Sequence, residues 1–216
     1  MPHFNLRHFL ETLGKRDEET FVLQIGAMDG KTFDPVHEYI SKFKWPALMV
    51  EPIEERFEEL QKTYAEHDNI VFENVAIAQE EGSKEMFYIP IEHVKAGEVP
   101  KWGAGVSSFY EDRNALAFDN VKPFVKKRQV DCITLEALLV KHDVEKIDVL
   151  QIDAEGYDYH ILKQLDFSRF KPKVINLELV NMPKSEQHEC KKILDKQGYL
   201  YIKAGYDLLA VSGLQF

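Results

Sequence analysis

Two stretches carry residue types at spacings that chemistry can use. The first, Phe21–Thr32, reads Phe-Val-Leu-Gln-Ile-Gly-Ala-Met-Asp-Gly-Lys-Thr. It is an apolar run that stops at Gly26 and turns through Gly30, the form of a strand feeding a ligand-binding loop. The second, Ile147–Gly156, is a buried-strand pattern that ends in Asp153-Ala-Glu155-Gly156. If strand geometry persists there, Asp153 and Glu155 leave the same face. Two close carboxylates can raise one another's affinity for a proton and so serve as a general base. They can equally hold a divalent metal, which is possible here but not expected, or cap the following helix. Glu178 lies in the otherwise apolar run Val174–Leu179, where an unpaired acid is costly; it either faces the same cleft or meets a cation. His160 follows Gly156 by one helical turn and is a further candidate base.

Three ligand readings compete for the first turn. A dinucleotide fingerprint needs Gly-x-Gly-x-x-Gly, but Met28 and Lys31 occupy two of the three glycine positions. A phosphate-binding loop needs four residues between Gly and Gly-Lys-Ser/Thr. Here Gly26 and Gly30-Lys31-Thr32 are separated by three, one of them the carboxylate Asp29. The third reading is a nucleoside without phosphates. Glu51 ends the next apolar run, 21 positions after Gly30, where an acidic residue hydrogen-bonds ribose hydroxyls. Asp29 and Glu51 disfavour phosphate and favour a cation, which suits S-adenosylmethionine. A kinase or nucleotide hydrolase of the phosphate-loop kind, and a nucleoside-binding module without catalysis, remain as alternatives.

These residues require elements to position them, and the chain alternates accordingly. Strands are expected at Thr20–Ile25, Pro46–Val50, Ile70–Ala78, Lys127–Ile133, Ile147–Ile152 and Val174–Leu179, with short extra strands at Glu85–Ile89 and Val106–Tyr110. Helices are expected from Asp34-Pro35 to Phe43, with Asp34 as N-cap, and over Glu54–His67, Thr134–His142, Tyr157–Leu165 and Ser185–Gln197. Tyr199–Lys203 and Tyr206–Val211 read as a terminal hairpin. This order predicts an α/β fold with a mainly parallel sheet and a C-terminal antiparallel hairpin. One domain over residues 1–216 is expected, with an N-terminal helix within residues 1–18. Residues of about 80–130 break the alternation and are expected as an insertion near the ligand face, where Trp102, Phe109 and Tyr110 are candidates for an acceptor wall.

Composition narrows the function classes. The 27 Lys+Arg against 37 Asp+Glu leave a net charge of -10, which argues against nucleic acid as partner. The basic stretch Lys122, Lys126, Lys127 and Arg128 reads as a solvated face. Cys132 and Cys190 lack metal-type spacing and are expected as reduced thiols. With no signal-peptide pattern at the start and no apolar run long enough for a membrane span, a cytoplasmic protein is expected. Oligomeric state is not readable.

The order of these motifs resembles FkbM-like S-adenosylmethionine-dependent methyltransferases. The matching stretches are Val22–Gly30, Leu48–Pro52, Asn74–Ala78, Val130–Leu139, Ile147–Gly156 and Val174–Leu179. Gln151 stands where that family often has Lys. The resemblance implies a class I methyltransferase fold, an α/β fold with a doubly wound, mainly parallel, seven-stranded Rossmann-like sheet and a C-terminal antiparallel hairpin, and O-methyl transfer to a hydroxyl of a small molecule, sugar or glycan. It also implies roles: Gly26, Ala27, Asp29 and Gly30 along the methionine half of the cofactor, Glu51 on the ribose, and Pro52 at the adenine edge. Asn74, Val75 and Ala76 would border the other adenine face, with Asp153 facing the cofactor and Ser107 and Ser108 reaching it from the insertion.

Overall fold

A computed structural model describes residues 4–16, 19–112 and 114–213. Its elements in chain order are α1 (Leu6–Gly14), β1 (Val22–Ile25), α2 (His37–Phe43), β2 (Ala47–Val50), α3 (Glu54–Thr63) and β3 (Ile70–Glu73). There follow β4 (Ala76–Ile77), β5 (Gly82–Tyr88), α4 (Ile91–Lys95), β6 (Ser107–Ser108), β7 (Lys126–Ile133) and α5 (Leu135–Lys141). The chain closes with β8 (Val149–Ile152), α6 (Asp158–Leu162), β9 (Val174–Glu178), α7 (Lys184–Lys196), β10 (Leu200–Ala204) and β11 (Asp207–Val211). The main sheet runs β10-β11-β9-β8-β1-β2-β3. Within it, β11 is antiparallel to both its neighbours and the other pairings are parallel.

The sheet is buried on both faces, which explains why its strands are nearly unbroken apolar runs. Leu23, Ile25, Leu150, Ile152 and Leu177 pack under α5, α6 and α7 through Leu135, Ile161 and Leu194. The alternate residues Val22, Met49, Val149 and Val174 pack under α1, α2 and α3 through Phe9, Ile40 and Leu60. The chain order reverses between β1 and β8, and this switch point opens a crevice beyond the strands' carboxyl ends.

Several boundaries differ from the sequence expectation. The expected third strand, Ile70–Ala78, is two strands in two sheets. β3 ends at Glu73, Asn74 donates its side-chain amide to the Glu51 carbonyl at 2.8 Å, and β4 pairs instead with β7. β4, β7, β5 and β6 form a second, four-stranded sheet that carries the insertion. The insertion has its own small core of Ile89, Val99, Val106, Leu116 and Val121. Asp34 is not the residue bordering α2. Its carboxylate accepts from the Val36 and His37 N–H groups, and the helix begins one bend later. α6 is shorter than Tyr157–Leu165. The expected N-terminal helix is α1, and residues 1–3 and 17–18 of that expectation lie outside the described residues. Cys132 and Cys190 are buried, unbridged thiols. Among the described residues, no helix is long and apolar enough to cross a membrane.

Candidate functional site

The first strand turns at Gly26 because no other residue fits there. Its φ is +79°, and a Cβ would stand 1.8 Å from the Asp153 carbonyl oxygen, so β1 and β8 meet backbone to backbone at the crevice. The N–H groups of Gly26 and Ala27 both reach the Val50 carbonyl, at 2.9 and 3.0 Å. The next residue, Met28, is left-handed and donates its N–H to Glu51 Oε2 at 2.9 Å. Ile53 N–H donates to Glu51 Oε1 at 2.9 Å. Glu51 is thus buried and pinned by two backbone donors, with lone pairs remaining on each oxygen. Burial pushes its pKa up to about 7, against the lowering effect of those two hydrogen bonds.

Two connected spaces adjoin this turn. A narrow, largely apolar slot runs between Pro52, Val75, Ala76 and Ile77 on one side and Phe109 and Tyr157 on the other. A larger cavity of about 630 Å³ opens beside it. Gly26, Ser107 and Asp153 line both. The cavity mouth is apolar: Phe33, Trp102, Phe118, Val180 and Tyr206 all line it and are exposed. Its floor is polar. Gln24 on β1 and Gln151 on β8 line it and stand opposite one another in register, and Asn176 on β9, outside the lining, pairs with Gln151. Gln24 donates to Asp34 at 2.9 Å, and Asn176 donates to Gln151 and to Asp207, both at 3.0 Å.

Three carboxylates converge at the crest between β8 and β9. One oxygen from each of Asp153, Glu155 and Glu178 lies within 4.8 Å of the others. The convergence does not come from strand alternation. β8 ends at Ile152, and Glu155 takes a left-handed φ of 49° that swings its side chain to Asn181. The Asn181 amide donates to Glu155 Oε2 at 2.6 Å and to Glu178 Oε2 at 3.0 Å. Asp153 is wetted through the cavity but walled by protein on its other sides. Desolvation and then the neighbouring acids Glu178, Asp158, Asp207 and Glu51 raise its pKa well above the usual carboxylate range. Glu155 is raised for the same reasons, by burial and then by Asp153, Glu178 and Asp158. Burial and the Asp158 and Asp207 charges bring Glu178 to about 7, against the Asn181 hydrogen bond. Each member of the trio therefore binds a proton more tightly than a free carboxylate does. Its spacing also suits a divalent cation, although the Asn181 amide already presents a positive dipole to two of the three.

The expected site residues divide by location. Gly26, Ala27, Glu51, Ser107, Asp153, Glu155 and Glu178 line the cavity, and Pro52, Val75 and Ala76 line the slot. Asp29 and Gly30 line neither. Asp29 accepts from Lys31 N–H, Thr32 N–H and Thr32 Oγ1, which closes its own loop, and a Cβ on Gly30 would strike Leu60 and Tyr64. Asn74 positions Glu51 from behind. Ser108 fastens the insertion to the Glu155 carbonyl at 2.9 Å. His160 stands away from both spaces, beside Gln79 and Glu186. Trp102 lines the cavity and Phe109 the slot; Tyr110 lines neither. Capping of the crest falls to Asp158, which accepts from Ala154 and Gly156 N–H. Sequence reasoning missed Gln24, Asp34, Asn114 and Asn181. For Gln24 the signal was available, since it is a polar residue inside an apolar strand and lies 2% exposed.

These features fit a nucleoside carrying a positive charge. The glycine turn admits close backbone approach, Glu51 can accept from hydroxyls, and the slot has a flat apolar lining. The cavity presents Asp34, Glu51, Asp153, Glu155 and Glu178, and no Lys, Arg or His lines it among the described residues. Lys31, the cation that the phosphate-loop alternative needs, is exposed outside it.

Comparison with known proteins agrees. No curated protein matches the chain. Among solved structures it is similar to the FkbM methyltransferase of Methylobacillus flagellatus KT, at TM-score 0.54 and 14% identity over 91% of this chain and 44% of that one. The chain therefore spans less than half the length of that relative. It is also similar to the precorrin-6y C5,15-methyltransferase of Geobacter metallireducens GS-15, at TM-score 0.46 and 11% identity over 95% and 85% of the two chains. A third likeness is to the ribosomal protein L11 methylase of Lactobacillus delbrueckii subsp. bulgaricus, at TM-score 0.44 and 14% identity over 94% and 76%. At such identities the likeness is one of fold, and the latter two carry no further argument. The model of the methyltransferase FkbM domain matches residues 24–206, from the first strand to the final hairpin turn, and the chain belongs to that family.

Proposed function

We propose that the protein transfers a methyl group from S-adenosylmethionine to a hydroxyl of a small molecule, sugar or glycan. The observation that carries this reading is the trio Asp153, Glu155 and Glu178, set beside the glycine turn and facing a cavity open to solvent. When bound, S-adenosylmethionine supplies a methyl group already activated by its sulfonium, so the chain mainly aligns the acceptor and receives its proton. In this reading Glu51 holds the ribose hydroxyls, and Pro52, Val75 and Ala76 enclose the base. Asp153, the one trio member that lines both slot and cavity, stands where methyl donor and acceptor must meet. It takes the hydroxyl proton, and its raised proton affinity suits a base working near neutral pH. Glu155 and Glu178, tied by Asn181, hold the acceptor's orientation. The exposed aromatic mouth suits the apolar faces of sugar rings.

The test is transfer of isotope-labelled methyl from S-adenosylmethionine to a panel of glycosides and small hydroxylated acceptors, with wild type and Asp153→Asn side by side. Transfer by wild type and its loss in Asp153→Asn supports the reading. Absence of transfer to every acceptor, with the cofactor bound, contradicts it.

A further inference from the structure

We propose that Asn114 selects the methyl acceptor: its side-chain amide donates to an uncharged oxygen of that molecule, in a subsite that rejects anions. This rests on the function proposed above and deepens it.

Asn114 enters from the insertion and is 5% exposed. Its Oδ1 accepts from Leu116 N–H at 3.0 Å, which caps the short 3₁₀ turn Ala115–Ala117. That bond fixes which end of the amide is which. Nδ2 is left buried with no hydrogen-bond partner, on a residue that lines the cavity. Capping does not explain the group, because Ser or Asp would cap equally well and leave no orphaned donor. Buried polar atoms without partners are rare and call for a ligand or water. Nor is the placement loose, since Leu116 is buried in the insertion's own core and holds Asn114 still.

The surroundings define what the donor meets. Trp102 and Phe118, packed edge to face at 6.1 Å, frame the cavity on the insertion side. The same cavity is lined by Asp34, Glu51, Asp153, Glu155 and Glu178, joined by Gln24 with its side-chain carbonyl oxygen. That oxygen is also buried and unpartnered, because the amide's other end is committed to Asp34. The acids and Gln24 therefore accept hydrogen bonds and Asn114 donates one. A hydroxylated neutral molecule satisfies both, its O–H groups meeting the acids and one of its oxygens meeting Asn114. An added amine is tolerated for the same electrostatic reason. A phosphate or carboxylate on the acceptor would face five carboxylates with no cation among the described lining residues, a like-charge juxtaposition that suppresses binding.

The experiment is binding to protein saturated with S-adenosylhomocysteine, read by saturation-transfer NMR and calorimetry. The probes are the methyl glycosides of glucose, galactose, mannose and rhamnose, with glucosamine, glucose 6-phosphate and glucuronic acid. At least one neutral glycoside should bind, and the two anions should bind about tenfold or more weakly than their neutral counterpart. Asn114→Ala should weaken the neutral glycoside by about tenfold, the scale of one hydrogen bond. Asn114→Asp keeps an oxygen to cap Leu116 but loses the donor; it should weaken the glycoside similarly and shift preference toward glucosamine. S-adenosylhomocysteine affinity should be the same in all three proteins. Anions binding as tightly as neutral sugars, unchanged affinity in Asn114→Ala, or no glycoside binding at all would each overturn the subsite while leaving the cofactor reading intact. Failure of wild type to bind S-adenosylhomocysteine would instead overturn the functional reading itself.

Discussion

The two halves of the site are built differently. On the Glu51 side the decisive groups are local and internally satisfied: the Gly26 turn, two backbone N–H groups on one carboxylate, and apolar residues at two strand ends. On the Glu178 side they are assembled from residues 33, 102–118, 153–155, 178–181 and 206, and polarity is left unresolved. Three acids crowd together, the Asn114 amide carries an orphaned nitrogen, and aromatic side chains stand in solvent. A site half that is complete without its ligand suits an invariant one. A half that carries unpaired donors, acceptors and protons is arranged for a partner that completes it, and the acceptor molecule is the natural candidate.

Substitutions can break this contrast, and the largest effect belongs to the open half. Asp153→Asn should cut methyl transfer by about 10²–10⁴-fold, the usual worth of a general base, with S-adenosylhomocysteine affinity retained. Retained turnover would remove Asp153 from catalysis. In the closed half, Gly26→Ala forces a side chain against the Asp153 carbonyl at a left-handed φ and should cost about 3 kcal/mol of stability or more in chemical denaturation. A smaller loss would mean that the β1–β8 contact relaxes freely. Glu51→Ala should weaken S-adenosylhomocysteine binding by about 1.5–3 kcal/mol, as for a hydrogen bond to a charged group, and an unchanged dissociation constant refutes its ribose role.

The smallest effect is electrostatic. Glu178 titrates near 7 in the folded protein and near 4.5 when unfolded, so the folded state binds the extra proton. Its contribution to stability is complete below pH 4.5 and is lost as pH rises through 7. Glu178→Gln, which mimics the protonated form, should therefore gain on wild type across that window, with about 2–4 °C in Tm for each kcal/mol that wild type loses. A difference that stays flat, or shrinks with pH, contradicts a proton-holding trio.

The same contrast explains what could be read from the sequence. The alternation of strands and helices and the glycine turn follow from apolar periodicity and from residues close in the chain, and Glu51 is marked by its distance from Gly30. Asp29 has the spacing of a ligand-facing residue, yet it lines neither space and its carboxylate accepts three hydrogen bonds from its own loop. The convergence of Asp153 with Glu155 was expected from strand alternation but arises from a left-handed Glu155 and the Asn181 bridge. His160 had suitable chemistry on a helix that turns it elsewhere. Asn114 gives no local signal and Asp34-Pro35 signals only a helix start, because a place in the cavity lining depends on residues distant in the chain.

The central claim is that this acid-lined crevice holds a cationic nucleoside and no polyphosphate. Calorimetry of the purified protein with S-adenosylhomocysteine, S-adenosylmethionine and ATP–magnesium tests it directly. The account expects saturable one-to-one binding of both adenosyl sulfur compounds and no heat from ATP–magnesium. Binding of ATP–magnesium with neither of the other two would contradict it.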